Sequence, residues 1–189
     1  MTRVELKPFE RSHFDRLIGW VPSPAFLLQW AGPLFTYPLD APQLERYLAD
    51  SRGEAPTRLI FTAMEVETGT ALGHIELSKI DRRNHSASLS RVLIGDASKR
   101  GKGTGVEMVR RALEVGFDRL SLHRIDLVVF DFNAAAIACY ERAGFVKEGR
   151  LREARRFGDA YWTLIQMSIL APEWRAGSDS GGQTHTGGA

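Results

Sequence analysis

Between two patterned stretches the chain reads Lys99-Arg100-Gly101-Lys102-Gly103-Thr104-Gly105, and the fold follows from where those glycines lie. Residues 86–94 alternate as a strand does, and Val106, Val109, Leu113 and Phe117 recur at the spacing of one helix face. The segment therefore joins the end of a strand to the start of a helix. Unpaired amides and the positive end of the helix dipole collect there and attract anions. Glycine lets the backbone approach a phosphate, and Lys99, Arg100 and Lys102 add positive charge suited to a pyrophosphate or a ribose phosphate. A glycine turn with solvated lysines has the same composition, so the loop alone leaves both readings open. Two common phosphate-binding patterns fail on spacing. The dinucleotide fingerprint requires glycine where Val106 stands, and the Walker pattern requires Ser or Thr directly after its lysine, where Gly103 stands.

Outward from this loop, the helix leads to an apolar strand at 125–130, which makes a strand, crossover, strand unit. Upstream, strand-like runs at 59–66, 71–77 and 86–94 are separated by Glu67-Thr68-Gly69 and by the turn-like residues 81–85, the pattern of an antiparallel meander. Residues 4–7 read as a first strand, after which Ser12 is placed to cap a short helix through Phe14, Leu17 and Ile18. Asp40, with Pro42 in the first turn and Gln43 three residues on, opens a helix carrying Leu44, Tyr47 and Leu48. An aromatic loop is expected between those two helices. Downstream, Asn133 caps a helix to about Ala143, Gly144 stops it, and Phe145 and residues 161–169 supply two last strands. The sum is an α/β or α+β sheet with helices on both faces.

Composition bounds the rest. With 189 residues, 43% hydrophobic and 25% charged, the chain has the make-up of one soluble globular domain, expected over residues 1–175. Residues 176–189 turn to Gly, Ser and Thr with nothing large and apolar, and a disordered tail is expected there. A net charge of +2 is too small for a dedicated nucleic-acid binder. Cys139 is the single cysteine, so no internal disulfide forms, and no Cys/His group has zinc spacing. No stretch approaches the 18 apolar residues of a membrane span. A cytoplasmic protein without metal, membrane or nucleic-acid partner is the expectation.

A second motif decides what the loop holds. The chain reads Asn133-Ala134-Ala135-Ala136-Ile137-Ala138-Cys139-Tyr140-Glu141-Arg142-Ala143-Gly144-Phe145. Seven positions at about 100° each return to nearly the same helix face, so Asn133 and Tyr140 line up about 10 Å apart, within reach of one extended arm. Together with Arg100-x-x-Gly103-x-Gly105, this motif resembles the GNAT N-acetyltransferase superfamily, over residues 1 to about 174 and most strongly over 86–145. The segment Glu148-Gly149-Arg150-Leu151-Arg152, then Asp159 and residues 161–169, is most similar to the branch containing ribosomal-protein N-terminal acetyltransferases. The resemblance implies a mixed, mostly antiparallel sheet of about seven strands with helices on both faces. It implies acetyl-coenzyme A as cosubstrate, held by residues 99–105 and by the backbone of Val92, Leu93 and Ile94. It places Asn133, Ala136, Tyr140 and Arg142 along the pantetheine arm. The partner it implies is an amine acceptor, a peptide terminus or a small molecule, taken by a monomer or homodimer.

Such an enzyme brings a neutral amine to the acetyl carbonyl without a covalent acyl-enzyme. At pH 7 an α-amine near pKa 8 costs about 1.4 kcal/mol to deprotonate and a lysine-like amine near 10.4 costs about 4.6 kcal/mol, so the acceptor decides how much a base matters. Many family members use a glutamate on the fourth strand. Here that strand offers Ser86, Ser88 and Ser90 on one face, and the nearest substitute is Glu76, beside His74 on the preceding strand. Tyr140 is expected to meet the departing thiolate as acid or hydrogen-bond donor. Cys139, turned about 100° from it, reads as core. Trp30, Phe35 and Tyr37 fall where family members build the acceptor wall. The missing fourth-strand carboxylate also suits a non-catalytic acyl-coenzyme A sensor on the same fold, and the loop taken alone also suits an ATP-binding enzyme.

Overall fold

The computed structural model describes residues 2–179. Its seven strands are β1 (Val4–Pro8), β2 (Leu59–Glu65), β3 (Ala71–Asp81), β4 (Ser86–Ile94), β5 (Arg124–Phe130), β6 (Val146–Phe157) and β7 (Ala160–Leu170). They form one sheet in the order β1-β2-β3-β4-β5-β7-β6. Every neighbouring pair is antiparallel except β4 and β5, which the crossover helix α4 (Thr104–Glu114) makes parallel. The expected mixed, mostly antiparallel sheet is therefore present.

The alternation of β2 and β3 sorts the two faces. Ala63, Ile75 and Leu77 join one core with Met108, Val109, Ala112 and Leu113 of α4. On the other face Ile60 joins Phe14 and Leu17 of α1 (Phe14–Gly19), Leu27 and Trp30 of α2 (Pro24–Ala31), and Leu44 and Tyr47 of α3 (Ala41–Ala49). His74, Glu76 and Ser78 point to this second face, and all three are buried. Each large aliphatic side chain so covered contributes about 1.5–3 kcal/mol.

Two irregularities open the sheet at its centre. β4 and β5 pair only over Ser86–Ser88 and Arg124–Asp126, and from Leu89 onward that edge of β4 has no strand partner. A bulge also interrupts β4: the register runs Leu77↔Leu89 and Glu76↔Ser90, then His74↔Leu93 and Gly73↔Ile94, so two residues, Arg91 and Val92, oppose Ile75 alone. Arg91 takes the extra turn at φ +51°, and the faces swap across it. Ala87 and Leu89 point to the α4 side before the bulge, whereas Leu93 points to the α1–α3 side after it.

Several local expectations need correction. The aromatic loop is in part a helix, α2, capped by Ser23 Oγ accepting from the Phe26 amide at 3.2 Å. Ser12 caps nothing; Glu10 and His13 exchange the capping bonds, with the Glu10 amide donating to His13 Nδ1 at 3.1 Å. β6 is 12 residues long, because it pairs with β7 while most of its side chains stay exposed, a pattern without hydrophobic alternation. A last helix, α6 (Ala171–Asp179), runs into the segment expected to be a disordered tail, and the rest of that segment lies outside the described residues. No helix among the described residues is long and apolar enough to cross a membrane.

Candidate active site

The glycine loop is built by backbone necessity. Gly101 has φ +74° and Gly103, the residue before α4, has φ +85°, a region that L side chains rarely occupy. The left-handed residue turns the chain so that α4 begins with its first amides unpaired and facing outward. α5 (Ala134–Ala143) starts as expected, with Asn133 Oδ1 accepting from the Ala136 amide at 3.3 Å, and ends at Gly144 with φ +105°.

These elements border one groove of about 480 Å³ that enters the fork between β4 and β5. Arg100, Gly101, Gly103 and Gly105 line its mouth, and Val92, Leu93 and Ile94 of β4 line one wall. Asn133, Ala136, Tyr140 and Arg142 of α5, with Trp30 of α2, complete the expected residues that it brings together. Asn133 thus both caps its helix and faces the groove. Arg100 folds back so that Nε and Nη2 donate to the Ile94 carbonyl at 3.2 and 3.0 Å, which anchors the mouth to the strand end. No Asp, Glu or His is among the residues lining this part of the groove.

The remaining expected residues lie elsewhere, for identifiable reasons. Lys99 points away and pairs with Glu65 at 2.8 Å. Lys102 is exposed and Thr104 is buried with its hydroxyl unpartnered; neither lines the groove. Phe35 stands behind Trp30, stacked at 6.0 Å between ring centres. Tyr37 is exposed, its hydroxyl donating to the Pro22 carbonyl at 3.3 Å. Of the three aromatics expected to form the acceptor wall, Trp30 alone borders the groove.

Glu76 is neither a solvated carboxylate nor a free base. It is 0% exposed, with Arg91 Nη1 at 2.6 Å, Arg58 Nε at 3.5 Å and the Tyr47 hydroxyl donating to it at 2.5 Å. Since Tyr47 spends its proton on Glu76, its oxygen accepts from His74 Nε2 at 3.0 Å, which fixes the His74 tautomer. His74 is neutral: burial, then the nearby Arg91, lowers its pKa to about 3. Burial and the neighbouring Glu76 charge likewise raise the Tyr47 phenol well above its usual range. Both guanidiniums lie over the Tyr47 ring, at 5.2 and 5.7 Å from its centre. The cluster clamps the bulge through the Arg91 side chain, and Trp30 Nε1, on the same face of the sheet, holds its backbone by donating to the Arg91 carbonyl at 2.9 Å. Sequence reading missed Arg91, because a bulge is a property of two paired strands.

Tyr140 borders the groove with its ring edge-on to Phe145 at 5.9 Å, and burial raises its phenol above the usual range. It is suited to donate a hydrogen bond and poorly suited to lose its proton. Cys139 also borders the groove, contrary to a purely core role, but its sulfur packs against Gly105 and burial pushes its thiol up to about 11. It is protonated at neutral pH and is no nucleophile.

Past Trp30, Ser90, Arg91, Val128 and Phe130 the groove continues into a second cavity of about 740 Å³ under the β6–β7 hairpin. Asp126, Ser88, Lys79, Arg155 and Gln166 line this part. Asp126 also escaped sequence reading, although it is the one carboxylate in an otherwise apolar run at 125–130.

Comparison with known proteins fits this architecture. Residues 3–146 match the family model described as acetyltransferase (GNAT) domain. The spermidine N(1)-acetyltransferase of Vibrio cholerae is 33% identical over 103 residues, 54% of this chain and 58% of that protein. That of Escherichia coli K12 is 29% identical over 116 residues, 61% of each chain. The matches thus span about three fifths of the length of these curated relatives. A crystal structure of the V. cholerae enzyme with CoA and spermine superposes with a TM-score of 0.77 at 26% identity, covering 92% of this chain and 98% of that one. With a family pattern that runs from β1 through α5 and a groove entered by the glycine-started helix, the chain belongs to the GNAT acetyltransferase family.

Proposed function

We propose that the chain is an acetyl-coenzyme A dependent N-acetyltransferase that passes an acetyl group to a primary amine by direct attack in a ternary complex. The observation that carries the reading is the continuous groove from the glycine start of α4, through the β4–β5 fork and past Tyr140, into a second cavity. The residues fit a coenzyme A chain: unpaired amides at the start of α4 suit its diphosphate, and the unpartnered edge of β4 suits an amide-bearing arm. A relative with spermidine as its named substrate and a solved neighbour holding CoA and spermine support an amine acceptor. A peptide terminus, the acceptor of the ribosomal branch resembled by residues 148–169, falls under the same chemistry.

In this reading β4 does the electrostatic work. The amides just past the Arg91 bulge face the fork and stabilise charge on the carbonyl oxygen as the amine nitrogen bonds to the carbonyl carbon. The carbon–sulfur bond then breaks, Tyr140 donates a hydrogen bond to the departing thiolate, and the proton shed by the attacking nitrogen as the amide forms passes to solvent or to that sulfur, giving the free thiol. The amine reaches the carbonyl already neutral. With no Asp, Glu or His lining the cofactor part of the groove, an amine of lower pKa is the easier acceptor. The same observation favours a second reading, an acyl-coenzyme A sensor without turnover.

The test is thiol release from acetyl-coenzyme A, with calorimetric coenzyme A binding measured alongside. Turnover above the no-enzyme rate rejects the sensor. Tyr140→Phe is expected to lower kcat at least tenfold with coenzyme A affinity unchanged within about twofold. An unchanged kcat removes Tyr140 from the chemistry.

A further inference from the structure

The second cavity carries charges that the fold leaves unmatched. Of the ionisable side chains that line it, three are cations, Lys79, Arg91 and Arg155, and one is an anion, Asp126. Arg91 is already taken by Glu76. Arg155 donates Nη1 to the adjacent Ala154 carbonyl at 2.7 Å and has no carboxylate partner among the described residues, and Lys79 has none either. Asp126 accepts from Ser88 Oγ at 2.6 Å through Oδ1, while Oδ2 has no hydrogen-bond partner among the described residues. Ser88 and Asp126 are the last paired residues before β4 and β5 part, so this carboxylate stands at the base of the fork. The neighbouring cation Arg124 is bonded to Glu148 at 2.6 Å and acts on Asp126 through space, with no hydrogen bond or ion pair between them among the described residues.

A ligand that satisfies this set carries one ammonium and one anionic oxygen group. A polyamine matches it less well, since beyond Asp126 the charged lining of the cavity is cationic. Resting on the acetyltransferase reading above, we infer that the acceptor is an amine that also bears a carboxylate or phosphate, its ammonium recognised by Asp126 on entry and losing a proton before attack, its anion held by Arg155. Ser88 donates to Asp126 Oδ1, and both residues line the cavity.

Five amines at saturating acetyl-coenzyme A test this: dialanine and its C-terminal amide, phosphoethanolamine and ethanolamine, and spermidine. The expected result is that the anionic member of at least one pair exceeds both its neutral partner and spermidine in kcat/KM by tenfold or more. Whichever pair shows the preference separates a carboxylate from a phosphate. Arg155→Gln is expected to raise KM for that anionic acceptor at least tenfold and to leave the neutral partner within twofold. Asp126→Asn is expected to lower kcat/KM for both members, with melting temperatures confirming that both variants fold. Spermidine as the best acceptor, no preference in either pair, or an Arg155→Gln loss shared equally by both members overturns the inference while the acetyltransferase reading stands. Coenzyme A binding with no turnover of any of the five also overturns it, and failure to bind coenzyme A overturns both.

Discussion

Replacing Glu76 by glutamine preserves its shape and its acceptor oxygen for Tyr47 but removes the negative charge that Arg58 and Arg91 share, leaving Arg58 with Asp50 at 3.9 Å and Arg91 with no carboxylate among the described residues. Breaking a buried ion pair by neutralising one partner costs about 3–5 kcal/mol, because the other charge remains buried and uncompensated. The arginine side chains here are 17% and 13% exposed, so a little solvent reaches them and the lower end, about 3 kcal/mol, is the appropriate figure. For a chain of this length that is a fall of about 6–12 °C in melting temperature. Urea unfolding of Glu76→Gln should show a lower midpoint with an unchanged slope. Kinetics at 15 °C, where the variant is still folded, should show kcat within about threefold of wild type and a raised KM for acetyl-coenzyme A, because the Arg91 bulge has lost its clamp. A general base removed in the same way would lower kcat about a hundredfold or more with no loss of stability. Melting within 2 °C of wild type together with a collapsed kcat would refute the structural role assigned to Glu76.

Two further perturbations probe the loop and the buried histidine. Gly103→Ala places a Cβ on a residue at φ +85° with open space around it, so the penalty is backbone strain alone, about 1–2 kcal/mol. Coenzyme A affinity is expected to fall roughly tenfold by calorimetry, and an unchanged affinity would separate the loop from the diphosphate. His74 has a folded pKa of about 3, below its ordinary value of 6.5, so the unfolded chain binds the extra proton across that interval. Its contribution is therefore intact above pH 6.5 and is lost on acidification at up to about 1.4 kcal/mol per pH unit. Chemical unfolding at pH 6, 5 and 4 should show that slope, and His74→Gln should flatten it; equal slopes would mean that His74 takes up its proton in the folded state.

What short-range chemistry controls was legible before any coordinates. Gly101 and Gly103 are needed for left-handed backbone, Asn133 for a cap and Gly144 for a stop, and each acts on residues within one helical turn. The strand, crossover, strand unit followed from two hydrophobic periods on either side of that loop, and β4 lies where its alternation put it. Trp30 falls at the acceptor wall through the family resemblance alone, and the helix that carries it is not legible, since α2 is apolar on most of its surface and gives little amphipathic signal.

Long-range pairing decided the rest. Lys99 pairs with Glu65, 34 positions away, a partner that no local pattern shows. Ser88 and Asp126 stand 38 positions apart and meet because a parallel register puts them opposite one another. The Arg91 bulge exists only relative to β3, and with it comes the change of face that makes Leu93 a core residue on the α1–α3 side. Glu76 looks like any strand carboxylate along the chain, and only the packing of α3 over it, with two arginines and a tyrosine drawn in, makes it a buried structural anion. Conformational preference acts on neighbours along the chain, whereas burial and charge compensation depend on which distant segments share the same space. The sequence by itself therefore determined the glycine loop and its helix, and the tertiary structure alone decided which charges are left without a partner in the groove.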